Sequence, residues 1–262
     1  MLLEVKDLDL TYGTGAPTVT GVNFSLEKGA VLSIVGESGS GKTSVIRAIL
    51  GLMGGDGHIS RGEINFAGQE LSKLTNKEWQ KLRGHDIAMI FQDSASMLNP
   101  VETIGRQFVE YICTHASVTK DEARAMALEM LSRMNLPHPE NILSSYAFEL
   151  SGGMRQRVGI AMALIFFPKL LLADEPTSAL DVTTQAQIVK ELMAAVKKSG
   201  TALIMVTHNI GVAAYMSDQI MVMSEGKVVE YGSAREIIET PKAEYTKKLL
   251  AAVPSLGGER YE

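Results

Sequence analysis

The sequence predicts an α/β fold in which a mostly parallel sheet is flanked by helices, with an N-terminal antiparallel β subdomain and an inserted α-helical subdomain. The apolar run Val31 to Val35 leads directly into a glycine-rich loop and then into a helical pattern that ends near Leu50, which is the repeating unit of parallel sheets. Residues 103–150 carry amphipathic helical patterns and no strand pattern, so we expect the helical insertion there.

The N-terminal third supplies the antiparallel layer and one further core strand. Apolar and polar residues alternate over Leu3 to Tyr12 and Val22 to Leu26, as they do in half-buried antiparallel strands. The glycine-rich stretch Gly51 to Gly62 predicts a loop, and Glu63 to Phe66 predicts the strand that follows it. Ile87 to Phe91 predicts a second buried strand.

Within the insertion, the spacing of Thr119 to Glu122 predicts a capped helix start. After the insertion, strands and helices alternate again. The predicted elements are then the strand Leu170 to Ala173, a helix through Ile188 to Val196 that ends at Gly200, the strand Ala202 to Thr207, a hairpin of Ile220 to Met223 and Lys227 to Tyr231 around the turn Ser224 to Gly226, a capped helix from Ser233, and a last helix to Val253 before Pro254.

Composition and charge exclude several classes of protein. The 262 residues are 45% hydrophobic, which suits one large folded domain rather than a disordered chain. The formal net charge of −5 argues against a general nucleic-acid surface, because phosphate backbones are bound by clustered Lys and Arg. The single cysteine, Cys113, excludes an intrachain disulfide and leaves too few thiolates for a zinc or iron–sulfur site.

The hydropathy pattern predicts no membrane-spanning helix. The most apolar stretch, Ala161 to Phe167, is interrupted by Pro168 and Lys169, well short of the roughly 20 residues needed to cross a bilayer. Charged residues between Glu4 and Asp9 interrupt any apolar core of a signal peptide. We therefore expect that the protein, if it serves a membrane process, acts from outside the bilayer.

The segment Gly36 to Thr43 matches the pattern G-x-x-x-x-G-K-[S/T]. In this pattern backbone N–H groups surround phosphates, the lysine (Lys42) reaches the β- and γ-phosphate oxygens, and the hydroxyl of Thr43 can bind Mg²⁺. The alternative is a glycine-rich turn with an incidental lysine. The strand before the segment and the helix after it favour a phosphate-binding loop, and hence the P-loop NTPase type of α/β core.

Polar side chains follow three other predicted strands. Asp174 and Glu175 come after Leu172 and Ala173, Gln92 follows Phe91, and His208 follows Thr207. Each alone is more typical of a solvated turn or a satisfied strand end.

Because the carboxyl ends of parallel strands meet at one edge of a sheet, their coincidence with Lys42 favours a site. We expect Asp174 to bind Mg²⁺, Glu175 to act as general base toward water, Gln92 to orient water or contact Mg²⁺, and His208 to hydrogen-bond the γ-phosphate.

A second anion-binding element lies at Leu150 to Gln156, where Ser151 and two glycines precede a helical run. Free N–H groups at a helix N-terminus attract anions, although Ser-Gly-Gly alone is merely a plausible helix start. The chain thus has two phosphate-binding elements but only one recognisable Mg²⁺ site. This suggests that each element forms half of a binding site and that another subunit supplies the other half.

With these motifs the chain closely resembles the ATP-binding-cassette (ABC) ATPases over nearly its whole length. The resemblance implies that Gly36 to Thr43 is the Walker A loop, Gln92 the Q-loop, Leu150 to Gln156 the signature, Asp174 and Glu175 the Walker B end, Ser178 to Asp181 the D-loop, and His208 the switch histidine.

The roles implied by the family involve ATP and Mg²⁺. Nucleotide would be bound by Tyr12 stacking on adenine, by Gly36, Ser38, Gly39, Ser40, Gly41, Lys42, Thr43 and Ser44, and by Ser151 and Gly153 of a partner; Mg²⁺ by Thr43, Gln92 and Asp174; and catalysis would use Glu175, His208, Gln92 and Lys42. The chain would be a single nucleotide-binding domain over residues 1–262, divided into an ATP-binding core with the β layer (1–102), a helical signature subdomain (103–168), a core continuation (169–232) and a helical tail (233–262).

Finer motifs resemble the peptide/nickel importer branch, notably Met89 to Asp93 with Leu98 to Pro100, Thr177 to Gln185, and Tyr245 to Pro254. The resemblance implies a subunit peripheral to the cytoplasmic face of the membrane. Its partners would be a second ABC ATPase subunit, in a homo- or heterodimer, transmembrane permease subunits and, indirectly, an extracytoplasmic substrate-binding protein, with no nucleic acid.

Two departures from this branch bear on docking and substrate. Ser94 stands where the branch usually has proline, in the region expected to contact the permease. Oligopeptide members often have a C-terminal cysteine cluster that this sequence lacks, which favours a nickel or metal-chelate importer over a peptide importer.

Two other functions remain as hypotheses. A soluble ABC ATPase that acts on DNA or ribosomes usually has a long coiled-coil or zinc-binding insertion or a second cassette, and the sequence has none. A P-loop kinase that phosphorylates a small molecule leaves Leu150 to Gln156 unexplained.

Overall fold

The structure, a computed structural model, describes residues 1–92, 97–177 and 181–252. Three features singled out from the sequence lie outside these ranges: Ser94, the residues Ser178 to Leu180 of the expected D-loop, and the chain end from Val253.

Within the described ranges ten strands form one sheet, and ten α-helices surround it. The strands are β1 Leu3–Tyr12, β2 Val19–Leu26, β3 Val31–Val35, β4 Gly57–Phe66, β5 Gln69–Glu70, β6 Ile87–Ile90, β7 Leu170–Asp174, β8 Ala202–Thr207, β9 Gln219–Ser224 and β10 Lys227–Ser233. The helices are α1 Lys42–Ile49, α2 Asn76–Leu82, α3 Ile104–His115, α4 Lys120–Arg133, α5 Pro139–Ser144, α6 Gly152–Leu164, α7 Val182–Ser199, α8 Ile210–Met216, α9 Ala234–Glu239 and α10 Glu244–Ala251.

The parallel part of the sheet has the order β9-β3-β8-β7-β6. Its register aligns the carboxyl ends of the strands, since Val35 lies opposite Thr207, Asp174 opposite Val206, and Ile90 opposite Ala173. Loops that follow these strands therefore leave the sheet at the same edge, which is where open α/β sheets bind ligands.

Both faces of this parallel sheet are covered. On β7, Leu171 and Ala173 face a cluster shared with α3, α4, α6 and α7, whereas Leu170 and Leu172 face a cluster shared with α1 and the antiparallel strands. This burial explains the unbroken apolar runs in the core strands, because neither face meets water.

The antiparallel layer consists of β1, β2, β4 and β5, and it joins the parallel strands through the short pairing of β2 with β10. The predicted α/β fold class, with its antiparallel layer and helical insertion, is confirmed. The predicted start of β4 was wrong. The loop expected to extend to Gly62 ends earlier, because Gly57 pairs with Tyr12 and Arg61 with Asp9 in the β1–β4 ladder.

Local signals located several helix ends correctly. Thr119 and Glu122 form the predicted capping box of α4, Ser233 and Glu236 form that of α9, and α7 ends at Gly200. No helix in the described ranges has both the length and the hydropathy needed to cross a membrane.

Candidate nucleotide site

The glycine loop connects β3 to α1 and passes close to β9. A Cβ atom at Gly36 would lie 2.1 Å from the carbonyl oxygen of Met223, and one at Gly41 would lie 2.5 Å from Cγ2 of Val19, so neither position has room for a side chain. Gly41 is the N-cap of α1, and no side chain caps this helix. The first N–H groups of α1 are therefore available to an anion.

Lys42 folds back over this loop. The residue is only 5% exposed, and its ammonium group donates to the carbonyl oxygens of Gly36 at 2.8 Å and Glu37 at 2.6 Å. Burial lowers the pKa of Lys42, although the carboxylates of Glu175, Asp174 and Glu37 offset part of the shift. The loop thus concentrates positive charge at the edge of the sheet before any phosphate is bound.

Thr43 and Asp174 meet across the end of β7. The Thr43 hydroxyl donates to Oδ1 of Asp174 at 2.9 Å, and Asp174 is 2% exposed. Burial raises the pKa of Asp174, and the hydrogen bond from Thr43 with the nearby charges of Arg47 and Lys42 reverses only part of that effect.

Glu175 brings the other predicted residues together. Its Oε2 lies 3.4 Å from Nε2 of Gln92, which donates to it, and 3.3 Å from Nδ1 of His208. Its φ of +44° is unusual for a residue with a side chain, and its backbone N–H donates to Val206 at 3.0 Å. This backbone conformation costs energy in a residue with a side chain, so the surrounding structure must stabilise it at Glu175.

Tyr12 extends the site toward the antiparallel layer. Its hydroxyl donates to Oγ of Ser44 at 2.9 Å, and the residue is 38% exposed. A half-exposed aromatic ring therefore lies beside the first turn of α1, where it can stack on a flat ligand group.

The signature segment lies in a different cleft. Ser151 caps α6 by accepting from the N–H of Met154 at 3.3 Å. Ser151, Gly153 and Arg157, with Asp181, line a cleft of about 370 Å³, and none of the glycine-loop residues lines it. The structure therefore does not bring Ser151 and Gly153 to the Lys42 site of the same chain.

The donor set fits a magnesium nucleotide. The hydroxyl of Thr43, the carboxylate of Asp174 and the amide of Gln92 offer the oxygen ligands that Mg²⁺ prefers. The described residues contain no cluster of three or more His, Cys, Asp or Glu side chains suited to a metal. A set of protein ligands with a single carboxylate suits Mg²⁺, because this ion usually takes one or two carboxylates together with phosphate oxygens and waters.

One contact of the glycine loop was not predicted from the sequence. The hydroxyl of Tyr245, on α10, accepts a hydrogen bond from the backbone N–H of Glu37 at 3.1 Å. A partner 208 residues away has no local signal in the sequence, and only the packing of the last helix reveals it.

Comparison with known proteins identifies the family of the chain. A family model described as ABC transporter matches residues 19–178. The oligopeptide transport ATP-binding protein OppD of Bacillus subtilis is 48% identical over 259 residues, covering 97% of this chain and 72% of that protein. The dipeptide transport ATP-binding protein DppD of the same organism is 43% identical, covering 97% of this chain and 77% of that protein.

Solved structures resemble the chain over most of its length. The dimeric post-hydrolysis state of the ATP-binding cassette MJ0796, bound to ADP and Pi, has a TM-score of 0.78 at 29% identity and covers 89% of this chain and 99% of that chain. The structure of cbiO1 from Clostridium perfringens, part of the ABC transporter complex cbiONQ, has a TM-score of 0.80 at 28% identity. The match covers 97% of this chain and 96% of that chain.

We predict that Asp174→Asn raises the melting temperature of the ligand-free protein at pH 7. A carboxyl with a raised folded pKa contributes stability below its unfolded pKa of about 3.9 and loses that contribution as pH rises through the folded pKa. Asparagine removes the charge and keeps an acceptor for Thr43, and each kcal/mol regained should raise Tm by about 2–4 °C. Calorimetry without nucleotide and Mg²⁺ measures this effect, which should shrink toward pH 4.

The matched control is Asp86→Asn. Burial alone would raise the pKa of Asp86, but hydrogen bonds and charges from Lys169 and His85 hold it below its usual value. This carboxylate therefore contributes stability above its unfolded pKa, and its loss should lower Tm at pH 7. A lower Tm for Asp174→Asn as well would contradict the prediction.

Proposed function

Because the chain belongs to the ABC transporter family, we propose that it hydrolyses ATP to drive peptide uptake through separate membrane permease subunits. One observation carries the proposal. Lys42, the Thr43–Asp174 pair, and Glu175 with its neighbours Gln92 and His208 lie at one edge of the sheet. The family and the matched cassettes support ATP binding and hydrolysis.

The substrate assignment is supported by the names of the relatives. The similar proteins from Bacillus subtilis are named for oligopeptide and dipeptide transport, which favours peptides over the nickel or metal chelates that the sequence analysis had favoured. A soluble ATPase that acts on DNA or ribosomes is not favoured, because these relatives are transport proteins and the net charge of −5 suits no general nucleic-acid surface.

In the proposed site the nucleotide lies along the glycine loop. The N–H groups at the start of α1 and the ammonium group of Lys42 hold its phosphates, and the ring of Tyr12 stacks on adenine, while Ser44 continues the first turn of the helix. Lys42 exchanges the carbonyl oxygens of Gly36 and Glu37 for phosphate oxygens, which satisfies its buried charge more fully.

We propose that Thr43, Asp174 and Gln92 hold Mg²⁺, which when bound neutralises negative charge on the phosphate oxygens. The position of Thr43 is supported by its hydrogen bond to Asp174, which fixes the hydroxyl at the end of β7. Gln92 follows β6 and contacts Glu175, so its amide is within reach of both the metal ligands and the base.

Glu175 is the proposed general base. Its carboxylate accepts the proton of the attacking water, and the contacts with Gln92 and His208 hold its Oε2 in place. The side chain of His208 is 63% exposed, so it can also reach toward a γ-phosphate above the strand ends. Positioning and charge account for most of the catalysis in phosphoryl transfer.

The signature residues Ser151 and Gly153 are proposed to bind the ATP held by a second ABC ATPase subunit. Their separation from the Lys42 site within one chain supports this assembly, and the MJ0796 cassette matched above is a dimer. In the proposed complex the subunits lie against the permease at the cytoplasmic face of the membrane, and a binding protein on the other side delivers the substrate.

The substrate class can be tested with the complete transporter in proteoliposomes. We expect binding protein loaded with a peptide to stimulate ATP hydrolysis, and binding protein exposed to nickel alone to leave the basal rate unchanged. Stimulation by nickel and not by peptides would overturn the peptide assignment while leaving the ATPase assignment intact.

We predict that Glu175→Gln stops turnover and traps bound ATP. Glutamine keeps the size of the side chain but cannot accept the water proton, so hydrolysis should fall by about 10²–10⁴-fold, the usual contribution of a general base. Phosphate release and ATP retention on the assembled transporter are the measurements. Glu63→Gln, on the exposed part of β4, is the control, and unchanged turnover of the Glu175 variant would contradict the role.

We predict that Ser151→Ala blocks ATP-driven dimer closure and leaves nucleotide binding to the monomer nearly unchanged. Lys42→Ala should instead abolish productive binding, because the phosphates lose their buried cation. Nucleotide titration and sizing of both variants, with Ser132→Ala on the exposed surface of α4 as control, separate the two effects. Equal dimerisation of wild type and Ser151→Ala would show that the hydroxyl does not act across an interface.

A further inference from the structure

The peptide unit between Gly36 and Glu37 is held from both sides. Its carbonyl oxygen accepts from the ammonium group of Lys42 at 2.8 Å, and its N–H donates to the hydroxyl of Tyr245 at 3.1 Å. The C=O and N–H groups of a trans peptide point in opposite directions within its plane. Lys42 and Tyr245 therefore bind opposite edges of this peptide unit.

The Tyr245 ring is itself fixed. It lies in the second position of α10 and packs against the apolar cluster that contains Val35 and Ile210. The backbone N–H groups of Lys242 and Ala243 donate to the carboxylate of Glu230 at 2.7 and 3.1 Å, which anchors the start of α10 to β10. These contacts position the hydroxyl next to the loop that follows β3.

This anchor determines where the Lys42 ammonium group rests. Rotation of the 36–37 peptide would move one of the two carbonyl groups that hold Lys42 and would change the path of the loop that is to surround phosphate. A hydrogen bond from the peptide N–H to a rigid acceptor opposes this rotation. It also polarises the carbonyl that accepts the hydrogen bond from Lys42.

We propose that Tyr245 is a positioning residue for nucleotide binding, which pre-organises the glycine loop through the Glu37 N–H. The proposal rests on the nucleotide site described above. The hydrogen bond from the Glu37 N–H places the Tyr245 hydroxyl at the glycine loop, whereas Glu175 and His208 meet beyond the ends of β7 and β8, so Tyr245 acts on the affinity for nucleotide and not on the hydrolytic step.

The expected effect follows from one hydrogen bond. Tyr245→Phe keeps the ring and removes only the hydroxyl, so the free loop gains conformations that binding must suppress. The net value of such a bond corresponds to a rise of about three- to tenfold in the Kd for ATP. At saturating ATP, kcat should stay within about twofold of wild type, because bound phosphate replaces the loop carbonyls as the partner of Lys42 and orders the loop in the variant as well.

The test compares Tyr245→Phe with Tyr231→Phe in the full chain. The Tyr231 hydroxyl donates to Gln219 at 3.0 Å and to the carbonyl of Ser25 at 3.4 Å, and Gln219 pairs with Leu32 rather than with the end of β3 that leads into the glycine loop. Loss of this hydroxyl is therefore a matched control for removal of a partly buried tyrosine hydroxyl. ATP titration, KM and kcat, thermal unfolding, and hydrogen exchange of the Glu37 amide are measured for wild type and both variants.

Support requires weaker ATP binding and faster exchange of the Glu37 amide in Tyr245→Phe alone. Wild-type affinity in Tyr245→Phe, or equal weakening in Tyr231→Phe, would overturn the positioning role. If the wild-type chain itself fails to bind ATP, the proposed function fails first, and this result is distinct from a wild-type chain that binds and a variant that binds equally well.

Discussion

Burial of the parallel strands on both faces is the constraint on which the site depends. Because side chains of β7 and β8 face apolar clusters on either side, polar groups in these strands are confined to their ends. The register brings the ends of β3, β8, β7 and β6 to one edge. Lys42 therefore lies near Asp174 and Glu175 although it is more than 100 residues away in sequence, and His208 contacts Glu175 at the same edge.

The same burial makes the ligand-free site electrostatically costly. Desolvation lowers the pKa of Lys42 and raises the pKa of Asp174, so in both residues the charged form is disfavoured relative to water. Lys42 compensates by bonding to loop carbonyls and Asp174 by accepting from Thr43. These are the weaker partners that phosphate and a divalent cation would replace, so the arrangement favours ligand binding at the expense of stability.

The sequence predicted the fold class and most elements because each carries a local signal. Apolar runs marked β3, β7 and β8, and the capping boxes at Thr119 and Ser233 marked helix starts. Motif spacing also identified the strand-end residues that the structure brings together around Glu175. The misplaced start of β4 and the contact of Tyr245 with Glu37 share a cause: both depend on partners distant in sequence, whose pairing or packing has no local pattern.

The fold places the phosphate-binding motif of the signature segment in a cleft separate from the Lys42 site of the same chain. Its helix α6 is tied to the core by the Gln156 amide, which donates to the carbonyl of Pro176, and by the Arg157–Glu191 ion pair at 2.6 Å. These bonds hold Ser151 in a cleft lined by Asp181 and Thr184 instead of over the Lys42 loop. None of the residues of the Lys42 loop lines this cleft, so the N–H groups at the start of α6 have a use when the glycine loop of a second chain faces them. In the proposed dimer, closure would add ligands to bound nucleotide, so the energy of ATP binding could be converted into movement between subunits.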